Sequence, residues 1–460
     1  MQRLWSLLFL LLLGFAALPA QASSRDKGLL YACPYLHDKA RQHIAPMTQG
    51  KEGWFFRSSD FQEYYALLPD TQDFLSRLNQ AFASQGTTLV LLEVPPRTLA
   101  ERAFLNKKQP MQNTFNPKIT HRSYYNYVES LRKTGAVVVN TLDLATQRDT
   151  KNNLNFYFKR DIHWSPFAAK ITAARVAEVM KKEAGYVPDK EQKFVTTSSN
   201  KLEMKGVMYE ELQQLCTDSI PAEFAPEYIT TVKADDESAD ALFGDTSSKP
   251  PIVLLGSSFS WMSIINLEGF LAEALNREVA NFSIPGGALF NAITSYISLP
   301  EDQKLAPEYV IWENLSHYDF SSGERMLRQI IPAIYNECSV EDAIATSTLA
   351  INEGKGGDLL ILPEGKDIHG SDYYLFINSD NLGLTRFTLE IEYADGDGEW
   401  FTIDRTANFN NTGRFFAELT NEISSPLVKV ALSGMENVKA NVEVRLCKIP
   451  QTKPKKEKSV

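Results

Sequence analysis

Two short polar segments far apart in the chain, Asp161-Ile162-His163-Trp164 and Gly256-Ser257-Ser258-Phe259, supply a carboxylate, an imidazole and a hydroxyl. Those are the parts of a nucleophilic acyl-transfer site: a hydroxyl attacks, a ring nitrogen takes its proton, and a carboxylate orients the ring. Asp161 and His163 are two residues apart, so an extended backbone turns both side chains to one face. Asp161 then fixes one imidazole nitrogen and leaves the other to accept the proton of Ser258. Ser258 ends an apolar run and opens a helical pattern, where free backbone N–H groups favour developing negative charge. A serine at such a position also serves as a plain helix cap, and Ser257 and Ser260 compete for that role.

Other candidates sit at neighbouring strand ends. Gly286-Gly287 would bring backbone N–H groups close to an acyl oxygen, with Gly287 the expected oxyanion donor, and Asn314 offers a side-chain donor. Tyr318 and Arg97 lie where they would touch substrate. His121 and His317 fall on expected rim loops, whereas His37, His43 and His369 have no partner in the pattern. With six histidines in the chain and no two cysteines close together, neither a metal site nor a cofactor is expected.

Positioning these groups requires an open parallel sheet. Leu89 to Val94 and Ala136 to Val139 are near-uniformly apolar, as strands buried on both faces are. Ser165 caps a helix with Pro166 in its first position, and apolar residues recur through Ile171, Val176 and Met180. Ile252 to Leu255, a helix from Ser260 to Leu275, Val279 to Ile284, a helix ending at Ile297, and Tyr309 to Trp312 follow in alternation. Three successive strand ends thus carry Ser258, Gly286-Gly287 and Asn314 to one rim, the edge at which open parallel sheets bind ligands. The expected α/β domain covers 23–337. Residues 186–248 interrupt it as a polar insertion with an acidic run from Asp235 to Asp240, read as a lid over the rim.

From 338 to 450 the pattern changes to short alternating strands: Asp358 to Leu362, Tyr373 to Asn378, Thr385 to Tyr393, Trp400 to Ile403, Arg414 to Leu419 and Leu427 to Leu432. Asp395-Gly396-Asp397-Gly398 is a hairpin turn between two of them. The fold class expected is therefore α/β followed by an all-β sandwich.

Residues 1–22 have the form of a cleaved secretion signal: Arg3, an apolar run from Leu4 to Leu18, and Ala20-Gln21-Ala22. The run falls short of the roughly 20 residues of a membrane span. No later stretch is apolar enough to cross a bilayer, so an exported protein with no span after cleavage is expected. Export makes disulfides the default for Cys33, Cys216, Cys338 and Cys447, which permit three connectivities. Pairing Cys338 with Cys447 would staple the C-terminal module and leave Cys33 to tie the mature N-terminus to Cys216. The formal charge of -10 over 460 residues argues against a nucleic-acid partner. The basic tail 451–460 reads as a solvated end.

The strand-end Gly256-x-Ser258-Phe259, the glycine turn after the next strand and the Asn after the third resemble the blocks of the SGNH/GDSL hydrolases. That family usually places Ser first and Asp-x-x-His near the C-terminus. Here Asp161-x-His163 precedes Ser258 with a one-residue spacer, which resembles the permuted SGNH-like branch of alginate O-acetylation proteins. The leader, the Gly50-Lys51-Glu52-Gly53-Trp54-Phe55 segment, both motifs and the terminal sandwich extend the resemblance over essentially all of the mature chain.

The resemblance implies a periplasmic O-acetyltransferase with Ser258 as nucleophile, His163 as base and Asp161 as its orienting partner. Mannuronate hydroxyls of alginate would accept the acetyl group, from a donor the sequence does not name. A C-terminal carbohydrate-binding module, the pairs Cys33–Cys216 and Cys338–Cys447, and other alginate biosynthesis and export proteins of the envelope as partners are implied as well. Alginate is a polyanion, so an acidic chain needs a local basic groove to hold it. Arg386, Arg405 and Arg414 are the candidates, with Trp400, Tyr373 and Tyr374 to stack on sugar rings. Two rivals remain open: an acetyl-esterase that uses the same triad with water as acceptor, and a non-catalytic polymer-binding scaffold that keeps the fold.

Overall fold

The computed structural model describes residues 28–38, 43–189, 193–233, 251–352, 354–363 and 367–450. The leader 1–22, the acidic run Asp235–Asp240 and the tail 451–460 lie outside the described residues.

A small hairpin, β1 (Met47–Gln49) with β2 (Phe55–Arg57), precedes helix α1 (Pro69–Ser84), which opens on proline. The chain then builds β3 (Thr88–Val94), α2 (Pro117–Arg132), β4 (Val137–Asn140) and α3 (Pro166–Glu183). Ser165 caps α3 as expected, its hydroxyl accepting from the amide of Ala168 at 3.3 Å. Next come β5 (Phe194–Met204), α4 (Val207–Leu215) and β6 (Glu223–Val232). β5 and β6 pair antiparallel as an isolated ribbon. The expected polar insertion thus contains regular structure.

β7 (Ile252–Leu255), α5 (Leu267–Leu275), β8 (Val279–Asn281), α6 (Asn291–Ile297), β9 (Tyr309–Leu315) and α7 (Glu324–Tyr335) complete the first domain. Its sheet has the order β4-β3-β9-β7-β8 with every pairing parallel. Every residue of β7 is buried, which is why the strand reads as unbroken apolar sequence. One expected element differs. In place of a continuous helix from Ser260 to Leu275, a short helix Ser258–Trp261 is followed by a break before α5. Asn266 lies there at φ 54°, a left-handed conformation that cannot continue a right-handed helix.

The second domain is a sandwich of two four-stranded sheets with the orders β10-β17-β12-β15 and β11-β16-β13-β14. Its strands are β10 (Ala345–Ile351), β11 (Gly357–Ile361), β12 (Tyr373–Ser379), β13 (Arg386–Tyr393), β14 (Gly398–Asp404), β15 (Arg414–Glu418), β16 (Leu427–Ser433) and β17 (Ala440–Lys448). The Asp-Gly-Asp-Gly turn joins β13 to β14, with Gly396 at φ 90° and the Tyr393 amide donating to the Asp397 carbonyl. The first and last strands escaped the sequence pattern.

Disulfides join Cys33 to Cys216 and Cys338 to Cys447, as expected. Among the described residues no helix is long and apolar enough to cross a membrane.

Candidate active site

The sheet's C-terminal rim gathers the two polar segments. β7 delivers Gly256 and Ser257 to the rim, and the Ser257 hydroxyl accepts from the Phe259 amide at 3.2 Å, so Ser257 is the helix cap. Ser258 is left as the first helical residue with its hydroxyl uncommitted to the backbone. The Asp161–Trp164 segment approaches from the loop before α3. His163 Nε2 lies 2.8 Å from Ser258 Oγ, and His163 Nδ1 lies 2.5 Å from Asp161 Oδ1. Asp161 Oδ1 also accepts the His163 amide at 3.1 Å.

This network sets the tautomer: Nδ1–H donates to the carboxylate and Nε2 accepts from the hydroxyl. Asp161 and His163 are both buried. The Phe259 ring packs 4.7 Å from the imidazole, centroid to centroid, and limits its rotation. A hydroxyl, ring nitrogen and carboxylate in this line can carry a proton from an attacking oxygen to a departing one.

A second carboxylate sits behind the serines. Glu313, near the end of β9, accepts from the Ser257 amide at 2.8 Å and from the hydroxyls of Ser257 and Ser260 at 3.0 Å. Burial pushes its pKa above the ordinary carboxylate value, while the hydrogen bonds from Ser257 and Ser260 oppose that shift. Gly256 makes the arrangement possible, because a β-carbon there would come 2.5 Å from Glu313 Oε2 and 2.7 Å from Ser260 Oγ. Glu93 on β3 stands beside Asn314 in the sheet register, and burial raises its pKa to about 8. Sequence reasoning missed both glutamates as positioning groups. The signal was present: each interrupts an otherwise apolar strand, where an acidic residue demands a partner.

Several expected contacts are corrected. Asn314 does not face the rim. Its amide donates to both Glu93 carboxylate oxygens at 3.0 Å and to the Tyr127 hydroxyl at 3.1 Å, as a fully buried sheet residue must. The Gly287 amide is spent on closing its own turn, donating to the Ile284 carbonyl at 3.0 Å. The Ser258 amide, by contrast, makes no hydrogen bond among the described residues. Arg97 is buried, donating to the carbonyls of Phe55, Phe158 and Lys159, with the rings of Trp54, Phe56 and Tyr157 around its guanidinium. It braces the loop leading to Asp161 through Nη2 alone. Its Nε, 3.9 Å from Asp60 Oδ2, and its Nη1 make no hydrogen bond among the described residues. The side chain lines a small pocket with Ile162, Phe259 and His317. Tyr318 follows β9, half-buried, and burial with the nearby Glu313 charge raises its pKa.

The sandwich residues divide in the same way. Arg405 is buried over the Phe415 ring and donates to the Arg414 carbonyl at 2.8 Å, and burial lowers its pKa to about 9. Arg414 is buried between the domains, bonded to Glu337 and Asn336. Neither forms a basic groove, because desolvated guanidinium groups here close internal packing. Tyr373 is half-buried against the sandwich core, whereas Arg386 and Trp400 reach solvent. Trp400 lines a cleft of about 1040 Å³ between the domains whose other walls include Asp70, Asp73, Glu324, Asp372 and Glu422. Arg77, Arg328 and Lys448 line it too, with Arg77 paired to Glu418 and Arg328 to Glu399, so the lining is acidic on balance where basic residues were expected.

Comparison with known proteins agrees with this architecture. Residues 47–315 match the family described as SGNH hydrolase-like domain, acetyltransferase AlgX. The alginate biosynthesis protein AlgX of Pseudomonas fluorescens is 27% identical over 429 residues, covering 90% of this chain and 87% of the relative. AlgX of Azotobacter vinelandii is 28% identical over 413 residues, covering 87% and 83%. The probable alginate O-acetylase AlgJ of Pseudomonas putida is 26% identical over 318 residues, covering 65% and 77%. In structure, Pseudomonas aeruginosa AlgX superposes with a TM-score of 0.79 at 22% identity, covering 91% of this chain and all of that one, a likeness of fold.

Proposed function

The chain belongs to the SGNH hydrolase-like, AlgX-type acetyltransferase family, and from that premise we propose that it O-acetylates mannuronate hydroxyls of alginate through an acetyl-Ser258 intermediate. The observation that carries this reading is the continuous line from Ser258 Oγ through His163 Nε2, 2.8 Å away, to Asp161 Oδ1, 2.5 Å from His163 Nδ1. Ser258 Oγ attacks the acetyl carbonyl of a donor while its proton passes to His163 Nε2, and the leaving group departs with that proton. A sugar hydroxyl then attacks the acetyl-serine, its proton passes to Nε2, and His163 returns a proton to Ser258 Oγ as the ester breaks. Asp161 holds the ring through both steps. The Ser258 amide is the oxyanion donor in this scheme, a contribution of roughly 3 kcal/mol to the transition state.

The reaction is assigned to the periplasm, after removal of residues 1–22, in company with other proteins of alginate synthesis and export. The sandwich serves as the carbohydrate-binding module, and Arg386 is its solvent-facing cation among the residues expected to touch polymer.

The test is incubation of the purified protein with an acetyl ester and unacetylated polymannuronate, followed by mass spectrometry of both. Acetyl-Ser258 and acetylated polymer are expected, and Ser258→Ala abolishes both. Acetate released with no acetylated polymer would identify an esterase. Unchanged polymer acetylation by Ser258→Ala would identify a scaffold.

A further inference from the structure

We propose that the segment 193–233 is the positioning element of the triad carboxylate, and that Gly206 is its positioning residue; this rests on the triad reading above. Asp161 Oδ1 is engaged by His163, but Oδ2 is buried and has no hydrogen-bond partner among the described residues. What holds Oδ2 is shape. A β-carbon built at Gly206 falls 2.5 Å from Asp161 Cγ and 2.7 Å from Oδ1, and closer still to Oδ2. The carboxylate therefore occupies the space that any other residue at 206 would fill.

The backbone at Gly206, φ -85° and ψ 179°, is open to every residue type, so conformational freedom does not explain the glycine. Close approach does. The same segment grips the Asp161 loop twice more. Glu223, first residue of β6, accepts from the amides of Lys159 and Arg160 at 3.0 and 2.7 Å. Ile162, between the acid and the base, packs into the small cluster formed by Met208, Leu212 and Leu215 of α4 with Ile44, Met47 and Phe55.

Helix α4 has no room to retreat. Cys216 at its end is bonded to Cys33, and Glu211 on its flank pairs with Arg57 at 2.6 Å. A side chain added at 206 must therefore displace the carboxylate, turning it away from His163 Nδ1. The segment expected to act as a lid acts as a backstop.

The experiment measures Ser258 acetylation by p-nitrophenyl acetate in single turnover for wild type, Gly206→Ala, Asp161→Asn and the double variant. Gly206→Ala is expected to lower the saturating acetylation rate about 100-fold, the scale of an ångström of misplacement, with the half-saturating ester concentration unchanged. In the Asp161→Asn background the same change is expected to add less than about 2-fold, since coupled residues are non-additive. A normal rate in Gly206→Ala, or equal losses in both backgrounds, would overturn the proposal. Proton NMR of the His163 ring reads the same contact without turnover. Loss of the downfield Nδ1 proton in folded Gly206→Ala supports the positioning role, and an unchanged proton refutes it. Wild type inert to the ester would instead refute the acetyl-enzyme reading, leaving the NMR result to decide the backstop.

Discussion

The indole Nε1 of Trp164 donates to the carbonyl of Phe259 at 3.0 Å. Trp164 follows His163 and Phe259 follows Ser258, so this one bond stitches the base loop to the nucleophile loop. Both residues are buried, and their rings stand 6.0 Å apart. Trp164→Phe keeps most of the packing but strands the Phe259 carbonyl, a loss of roughly 1–3 kcal/mol. A lower melting temperature and a slower acetylation of Ser258 are expected together, measured by calorimetry and intact-mass kinetics. Unchanged kinetics in the destabilised variant would show that the stitch serves folding alone.

In the proposed mechanism His163 carries the proton in both half-reactions. His163→Gln is expected to slow acetyl-Ser258 formation by about 10²–10⁴-fold, the range for removal of a general base. Far-ultraviolet circular dichroism should match wild type, since the ring is braced by Phe259 on a rim loop and lies outside the sheet core. A rate within a few-fold of wild type would remove His163 from the mechanism.

Glu93 makes stability depend on pH. Its folded pKa, about 8, lies above the ordinary carboxylate value of 4.5 because burial disfavours the charged form. The folded state therefore holds this proton more tightly than the unfolded chain. The contribution is full below pH 4.5 and is lost as pH rises towards 8. Glu101, raised to about 7, and Glu313 titrate in the same direction. Comparison of wild type with Glu93→Gln isolates one group: the difference in denaturation midpoint should grow in favour of the variant between those pH values. Parallel curves would contradict the assignment.

Arg328 joins the two domains. It donates to the Glu418 carbonyl at 2.6 and 3.2 Å, pairs with Glu399 at 2.5 Å and lies 4.8 Å from the Phe401 ring centroid. Arg328→Met leaves the half-buried Glu399 without its counterion, a cost of roughly 1–3 kcal/mol. Proteolytic cleavage between the α/β domain and the sandwich should accelerate, and a variant cleaved at the wild-type rate would show that the remaining seam contacts suffice. Arg77, paired with Glu418, is the neighbouring contact to remove next.

The three groups of the proposed triad were legible because their chemistry restricts residue type and their elements restrict position. Asp161, His163 and Ser258 are polar residues at strand or helix ends, where periodicity changes visibly. The sheet was legible for a related reason: β7 is apolar throughout and β3 nearly so because both faces are covered. Arg405, Arg414 and Asn314 were misplaced because polar residues look alike in sequence whether they face solvent or close a buried network. Their fate is decided by partners far along the chain, such as Glu337 for Arg414. Strand β10, Ala-Thr-Ser-Thr-Leu-Ala-Ile, is half small and polar, so its alternation is faint until β17 lies beside it.

Neighbouring serines divide the labour at the rim, one tying off the helix and the other left idle for attack. That division depends on register alone. Deleting Ser257 would carry Ser258 into the capping position and leave Phe259 where the free hydroxyl stood. Such a change would spare the sheet, the sandwich and both cystines, so a protein of ordinary appearance and no reactivity is one codon away.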